Sequence, residues 1–142
     1  MNTVSQMLSR KSVALISISP SATVLEALKS MAENNIGSLV VIHGERYLGI
    51  ITERDYSRKV VLKGKSSTDT KVEEIMTTDL PVLSPSDSTD HCMELMSQKN
   101  IRYMPVFDHG KLTGIISISD VVKGLISSQK QTIEQLQSYI AS

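Results

Sequence analysis

Apolar and polar positions along this chain change period several times, and each change marks an element. Alternation over Val13–Ile18, closed by Ser19-Pro20, predicts a short strand, because the residue before a proline is pushed to an extended conformation. Thr23 then stands as an N-cap with Glu26 three residues on. Val24, Ala27, Leu28 and Met31 follow at i, i+3, i+4, i+7, the stripe of an amphipathic helix that Asn35 ends. Leu39–His43 and Tyr47–Thr52 are rich in β-branched residues and turn at Gly44, which predicts a hairpin; a second helix carrying Tyr56, Val60 and Val61 starts at Thr52.

The same order then returns. Ser19–Asp55 aligns without a gap on Ser84–Asp120, sixty-five positions later, and eleven of the thirty-seven pairs are identical. Unrelated sequences would share roughly two, so the unit is duplicated, and the order in each copy is strand, helix, strand, strand, helix. In the second copy Leu80–Leu83 is the short strand, and Ser88 caps a helix with Thr89, Cys92, Met93 and Met96 on its stripe. Asn100 ends that helix. Met104–Asp108 and Lys111–Ser117 turn at Gly110, and a helix with Val121, Val122, Leu125 and Ile126 begins at Ser117. Pro105 belongs at a strand start or edge, where no ladder donor is required. Val4–Leu8 and Val72–Met76, which align at a spacing of sixty-eight, are read as the lead-ins of their own copies. The chain therefore divides into residues 1–64, first copy; 65–71, linker; 72–127, second copy; and 128–142, a C-terminal helix. Lys63–Lys71, rich in Gly, Ser, Thr and Lys, reads as a surface linker. Ile133, Leu136 and Ile140 recur at helical spacing in the tail, to cover the core or meet a second copy.

Composition narrows the function. At 142 residues, 40% hydrophobic and 21% charged, the chain has the make-up of one soluble globular body, and no apolar run nears the roughly 20 residues of a membrane span. Fifteen basic residues balance fifteen acidic ones, against a general nucleic-acid or anionic-lipid surface. One cysteine and a start without signal-peptide character fit a cytoplasmic protein. His43, His91 and His109 lack metal-ligand spacing, and Cys92 lies on an apolar stripe, so neither a metal site nor a nucleophile is expected. No nucleophile and base pair or glycine-rich phosphate loop appears, so the chain is not read as an enzyme.

The candidate chemistry lies in Thr52-x-x-Asp55 and Ser117-x-x-Asp120, each following Gly-Ile-Ile and opening a helix. A hydroxyl followed three residues later by an acid is a capping box, and that alone would account for one occurrence. Two at equivalent positions also suit phosphate, because a helix N-terminus offers N–H donors and partial positive charge, with the aspartate placed to accept from ribose hydroxyls.

The duplicated pattern, Asn-Ile-Gly or Asn-Ile-Arg before a strand, and Gly-Ile-Ile-[Thr/Ser]-x-x-Asp resemble a tandem cystathionine-β-synthase (CBS) domain pair, or Bateman module, over nearly the whole chain. Glu53–Val60 is similar to the small stand-alone bacterial members. The resemblance implies an α+β fold of two β-α-β-β-α CBS repeats with pseudo-twofold symmetry, plus the C-terminal helix. It implies two clefts for adenine nucleotides, each built from both copies. One would take the lead-in near Thr78–Val82, the corner Ile101, Arg102 and Tyr103, and Thr52, Arg54 and Asp55, with Lys59 following. The other would take the lead-in near Ala14–Ile16, the corner Ile36, Gly37 and Ser38, and Ser117, Ser119 and Asp120, with Ile51 or Ile116 as apolar contacts. Arg54 and Arg102 would make the first cleft basic and favour phosphate through charge-assisted hydrogen bonds. The expectation is a regulatory sensor of AMP, ADP, ATP or NAD(H), acting as a homodimer or on a protein target. The rival is a constitutive interaction scaffold with unused clefts.

Overall fold

The computed structural model describes residues 2–11 and 14–141; Val13, at the start of the predicted first strand, and Ser142, at the end of the predicted tail helix, lie outside the described residues. In chain order the elements are α1 (Val4–Ser9), β1 (Ser17–Ile18), α2 (Val24–Asn34), β2 (Ser38–His43), β3 (Arg46–Thr52), α3 (Glu53–Tyr56), α4 (Val72–Ile75), α5 (Thr89–Lys99), β4 (Tyr103–Asp108), β5 (Lys111–Ser117) and α6 (Ile118–Ala141). A π-helical turn over Ser57–Val61 continues α3.

Local chemistry sets the helix ends. Thr23 Oγ1 accepts from the Glu26 N–H at 3.1 Å while Glu26 Oε2 accepts from the Thr23 N–H at 3.1 Å, and Ser88 Oγ accepts from the His91 N–H at 3.0 Å. Asn35 and Asn100 both stop their helices at φ 52°, in the left-handed region that asparagine tolerates better than most residues. The second hairpin turns through His109 and Gly110 at φ 51° and 77°, the two positive angles of a type I′ turn.

Leu15–Leu80 form one compact unit, and the described residues of Met1–Ala14 and Pro81–Ser142 form the other. In the first, β1 runs parallel to β2, and β2 pairs antiparallel with β3. Val24, Ala27 and Met31 of α2 pack with Leu39, Val41 and Ile51 of the sheet, joined by Val60 and by Val72 and Ile75 of α4. In the second unit β4 pairs antiparallel with β5, and the core holds Val4, Met7, Leu83, Cys92, Met96, Met104, Val106, Ile116 and Val121. Both hairpins carry a register shift at the same place, after Val41 and after Val106, so even the irregularity is duplicated.

The lead-ins are exchanged relative to the sequence reading. Residues of α1 serve the second copy: the Val4 N–H donates to Asp87 O at 2.8 Å and the Ser5 N–H to Pro85 O at 2.9 Å. Residues of α4 serve the first copy in the same way, Val72 N–H to Ala22 O at 2.9 Å and Glu73 N–H to Pro20 O at 3.0 Å. The expected surface linker is also structural. Thr70 is buried, and the carbonyls of Thr70 and Ser67 accept from the Val24 and Leu25 N–H groups at 2.8 and 3.0 Å, satisfying donors that a helix start leaves without intrahelical partners.

Three further differences have local causes. Among the described residues of the predicted Val13–Ile18 strand, only Ser17–Ile18 are ladder-paired, and Leu80–Leu83 makes an isolated parallel bridge, Leu83 to Val106. Pro105 lies inside β4, with its carbonyl accepting from the Leu83 N–H at 2.9 Å; β4 takes only that bridge on its outer side, so the missing N–H interrupts no ladder. The expected C-terminal helix is present and continues the last helix of the second copy: α6 runs unbroken through Ser127 to Ala141.

The glycines of the two Gly-Ile-Ile strings have different neighbours. A methyl group at Gly49 would meet the Thr77 carbonyl oxygen at 2.5 Å, whereas one at Gly114 would meet the movable end of Leu8 at 2.7 Å. Thr77 is fixed by exchanging hydrogen bonds with Ile50 at 2.9 and 3.0 Å, so it cannot retreat without losing them. Gly49→Ala is expected to lower stability by about 1–3 kcal/mol and Gly114→Ala by under about 1 kcal/mol, read from denaturant midpoints.

Candidate functional site

Each Gly-Ile-Ile strand ends in a closed ring of hydrogen bonds. In the first copy Asp55 Oδ2 accepts from the Thr52 N–H at 3.0 Å and from Thr52 Oγ1 at 3.1 Å, and the Asp55 N–H donates back to Thr52 Oγ1 at 3.0 Å. In the second, Asp120 Oδ2 accepts from the Ser117 N–H at 2.8 Å and Ser117 Oγ at 2.9 Å, while the Asp120 N–H donates to Ser117 Oγ at 3.2 Å. The carboxylate thus satisfies the strand-end N–H and orients the hydroxyl, and the hydroxyl oxygen caps the new helix.

A lysine completes each ring, by different routes. Lys59, one turn along from Asp55, places its Nζ 3.0 Å from Asp55 Oδ1 and donates to Ile75 O at 2.9 Å. Lys11, from the chain segment after α1, places its Nζ 3.0 Å from Asp120 Oδ2 and donates to Ile115 O at 2.8 Å. Sequence reasoning missed Lys11, since it lies more than a hundred residues from its partner and outside the gapless repeat. Thr77 Oγ1 also donates to Asp55 Oδ1, at 3.0 Å.

The two aspartates differ in their partners among the described residues. Asp55 is 6% exposed, and both oxygens are doubly engaged. On Asp120 all three partners converge on Oδ2, and among the described residues nothing donates to Oδ1. The Asp120 side chain is 14% exposed.

The other predicted residues fall around these rings. In the Leu15–Leu80 unit, Gly37 O accepts from the Glu53 N–H at 3.1 Å and Ser38 pairs with Thr52, so the Ile36–Ser38 corner abuts the first ring. Arg54 is half-buried beside Asp55, Ile16 O accepts from the Val40 N–H at 3.2 Å, and Thr78 is exposed, its methyl 3.5 Å from where a Gly49 side chain would begin. In the other unit, Arg102 O accepts from the Ile118 N–H at 2.9 Å and Tyr103 pairs with Ser117, so the Ile101–Tyr103 corner abuts the second ring. Arg102, Ser119 and Val82 are exposed, whereas Ile116 is fully buried in the core. Burial, together with the charge of Asp87, pushes the Cys92 thiol up to about 11, so at neutral pH it is a protonated core group. Among the described residues no three His, Cys, Asp or Glu side chains are grouped to hold a metal, and no helix is long and apolar enough to cross a membrane.

Comparison with known proteins agrees with this architecture. The CBS domain family matches residues 4–61 and 72–127. A mitochondrial CBS domain-containing protein of Arabidopsis thaliana, CBSX3, is 41% identical over 123 residues, 83% of this chain; the chain spans 60% of that relative's length. A solved protein with CBS domains from Burkholderia ambifaria MC40-6 is 47% identical, with a TM-score of 0.85 over 90% of this chain and 96% of its own. A hexameric CBS-CP12 protein from bloom-forming cyanobacteria is 31% identical, with a TM-score of 0.74 over 86% of this chain and 70% of its own. With two matched copies, each carrying the same hydroxyl–aspartate ring at the end of a Gly-Ile-Ile strand, the chain belongs to the CBS-domain family and is a tandem, regulatory CBS module.

Proposed function

We propose that this module is a sensor of adenine nucleotides, AMP, ATP or a ligand of the NAD(H) type, and that it signals through a dimer or a partner protein. The observation that carries the reading is the pair of hydroxyl–aspartate rings, Thr52 with Asp55 and Ser117 with Asp120, each at a strand end where a helix N-terminus begins. Such a carboxylate accepts from ribose hydroxyls, and the partial positive charge of the helix start favours phosphate. Beside the second ring, Ser119 stands exposed on the same turn to add a donor, and the exposed Arg102 offers a guanidinium group for phosphate. Sensing requires the ligand to bind two arrangements unequally, and a dimer supplies two arrangements. A cytoplasmic setting suits the single reduced, buried cysteine.

Calorimetric titration of ligand-stripped protein with ATP, AMP and NADH tests the reading. Saturable binding to at least one, abolished in an Asp55→Ala/Asp120→Ala double variant that still folds, is the expected result. No binding of any of the three by the unaltered protein overturns the reading in favour of a constitutive scaffold.

The dimer part of the proposal rests on α6. Val122, Ile126, Ile133, Leu136 and Ile140 are all exposed and follow a heptad rhythm, with isoleucine at 126, 133 and 140 and Val122 and Leu136 at the complementary positions. Isoleucine and leucine alternating in this way favour two-stranded pairing, and Gln129 is the polar interruption. The hexameric CBS-CP12 relative supports self-association as a property within reach of this fold. Ile133→Glu with Leu136→Glu is expected to turn a dimer into a monomer in sedimentation while the cooperative unfolding transition is kept; an unchanged dimer would exclude α6 as the contact.

A further inference from the structure

We infer that α6 joins two copies of this chain as a parallel, in-register pair of helices in which Gln129 meets its own counterpart. The inference rests on the dimer proposed above and adds its orientation. Ile126, Ile133 and Ile140 repeat every seven residues, and Val122, Gln129 and Leu136 repeat with them, so the two sets are the a and d positions of a coiled coil. From Ser127 to Ile140 the positions outside these sets hold Ser, Gln, Lys, Thr and Glu, with Tyr139 the exception. A seam this narrow fits one helix rather than the broad face of a globular body. Every residue from Gln129 to Ile140 is exposed, and a stretch of helix that short is marginal in water without a partner. A lipid surface would call for a strongly basic polar face, whereas Lys123 and Lys130 are balanced along α6 by Asp120 and Glu134.

Orientation follows from Gln129 and the two lysines. Lys123 and Lys130 occupy e positions, and the g positions hold Ile118, Leu125, Thr132 and Tyr139. Parallel helices set e beside the partner's g, so each lysine meets an uncharged side chain, and the polar layer is amide on amide, able to hydrogen-bond to itself. Antiparallel helices set e beside e. Any antiparallel register that covers Ile126 then places lysine against lysine, and the one that covers the whole seam buries Gln129 against Ile133, which cannot bond it. The parallel arrangement also bears on signalling. The Ser117–Asp120 ring lies two residues before Val122 opens the seam, so the rings of both copies stand at one end of the coil, where a shift in either changes the splay of the same two helices.

Charge placed at the single polar layer tests the orientation. In sedimentation at neutral pH, Gln129→Glu and Gln129→Lys are each expected to weaken the dimer by about tenfold or more, and an equimolar mixture to restore it as a heterodimer. Under mild oxidation Gln129→Cys is expected to link to itself, while Val122→Cys mixed with Ile140→Cys gives no link; Cys92 is buried and stays out of the reaction. Full-strength dimers from both charged variants, no recovery on mixing, or a disulfide between the Val122→Cys and Ile140→Cys chains each overturn the orientation and leave the dimer reading standing. An unaltered chain that sediments as a monomer removes both.

Discussion

A carboxylate three residues into a helix, bonded back to the N–H and hydroxyl of the strand end before it, fixes the angle at which each Gly-Ile-Ile strand hands over to its helix. Everything near the candidate site hangs on that ring. The Glu53 and Ile118 N–H groups are aimed at the Gly37 and Arg102 carbonyls, which ties the strand corner of each unit to the same junction. Each ring then receives a lysine, so the buried or half-buried charge is paired rather than left alone, which would be costly.

The lysines show how one constraint is met twice from different material. Around the first ring, the Thr77 N–H bonds the Ile50 carbonyl, and the Thr77 hydroxyl and Lys59 ammonium bond the acid. Around the second, among the described residues, the Lys11 ammonium bonds both the Ile115 carbonyl and the acid. The strand-to-helix junction is thus held in both copies from different material.

Much of this was legible in the sequence where the cause is local. Thr23, Ser88, Asn35 and Asn100 mark helix ends through contacts within a few residues, and the α2 and α5 boundaries follow from them. The hydroxyl–aspartate rings were readable for the same reason. What the sequence hid depends on distant partners. The lead-in of α1 looks like part of the first copy until Val4 is seen bonded to Asp87, and Ser67–Thr70 looks like a loose linker until its carbonyls are seen capping α2. The charge of Lys59 was legible, but not that its ammonium would pair with Asp55 and donate to the Ile75 carbonyl. The unbroken α6 hid behind the polar run at Ser127-Ser128-Gln129, which has no breaker to end a helix already nucleated at Ser117.

The central claim is that the two hydroxyl–aspartate rings mark where nucleotide is read. Backbone amide chemical shifts in ¹⁵N-labelled protein, followed as ATP is added, test it most directly. The account predicts that the amides of Ser117–Asp120, of Thr52–Asp55, or of both sets move saturably. Movement of neither set would contradict it.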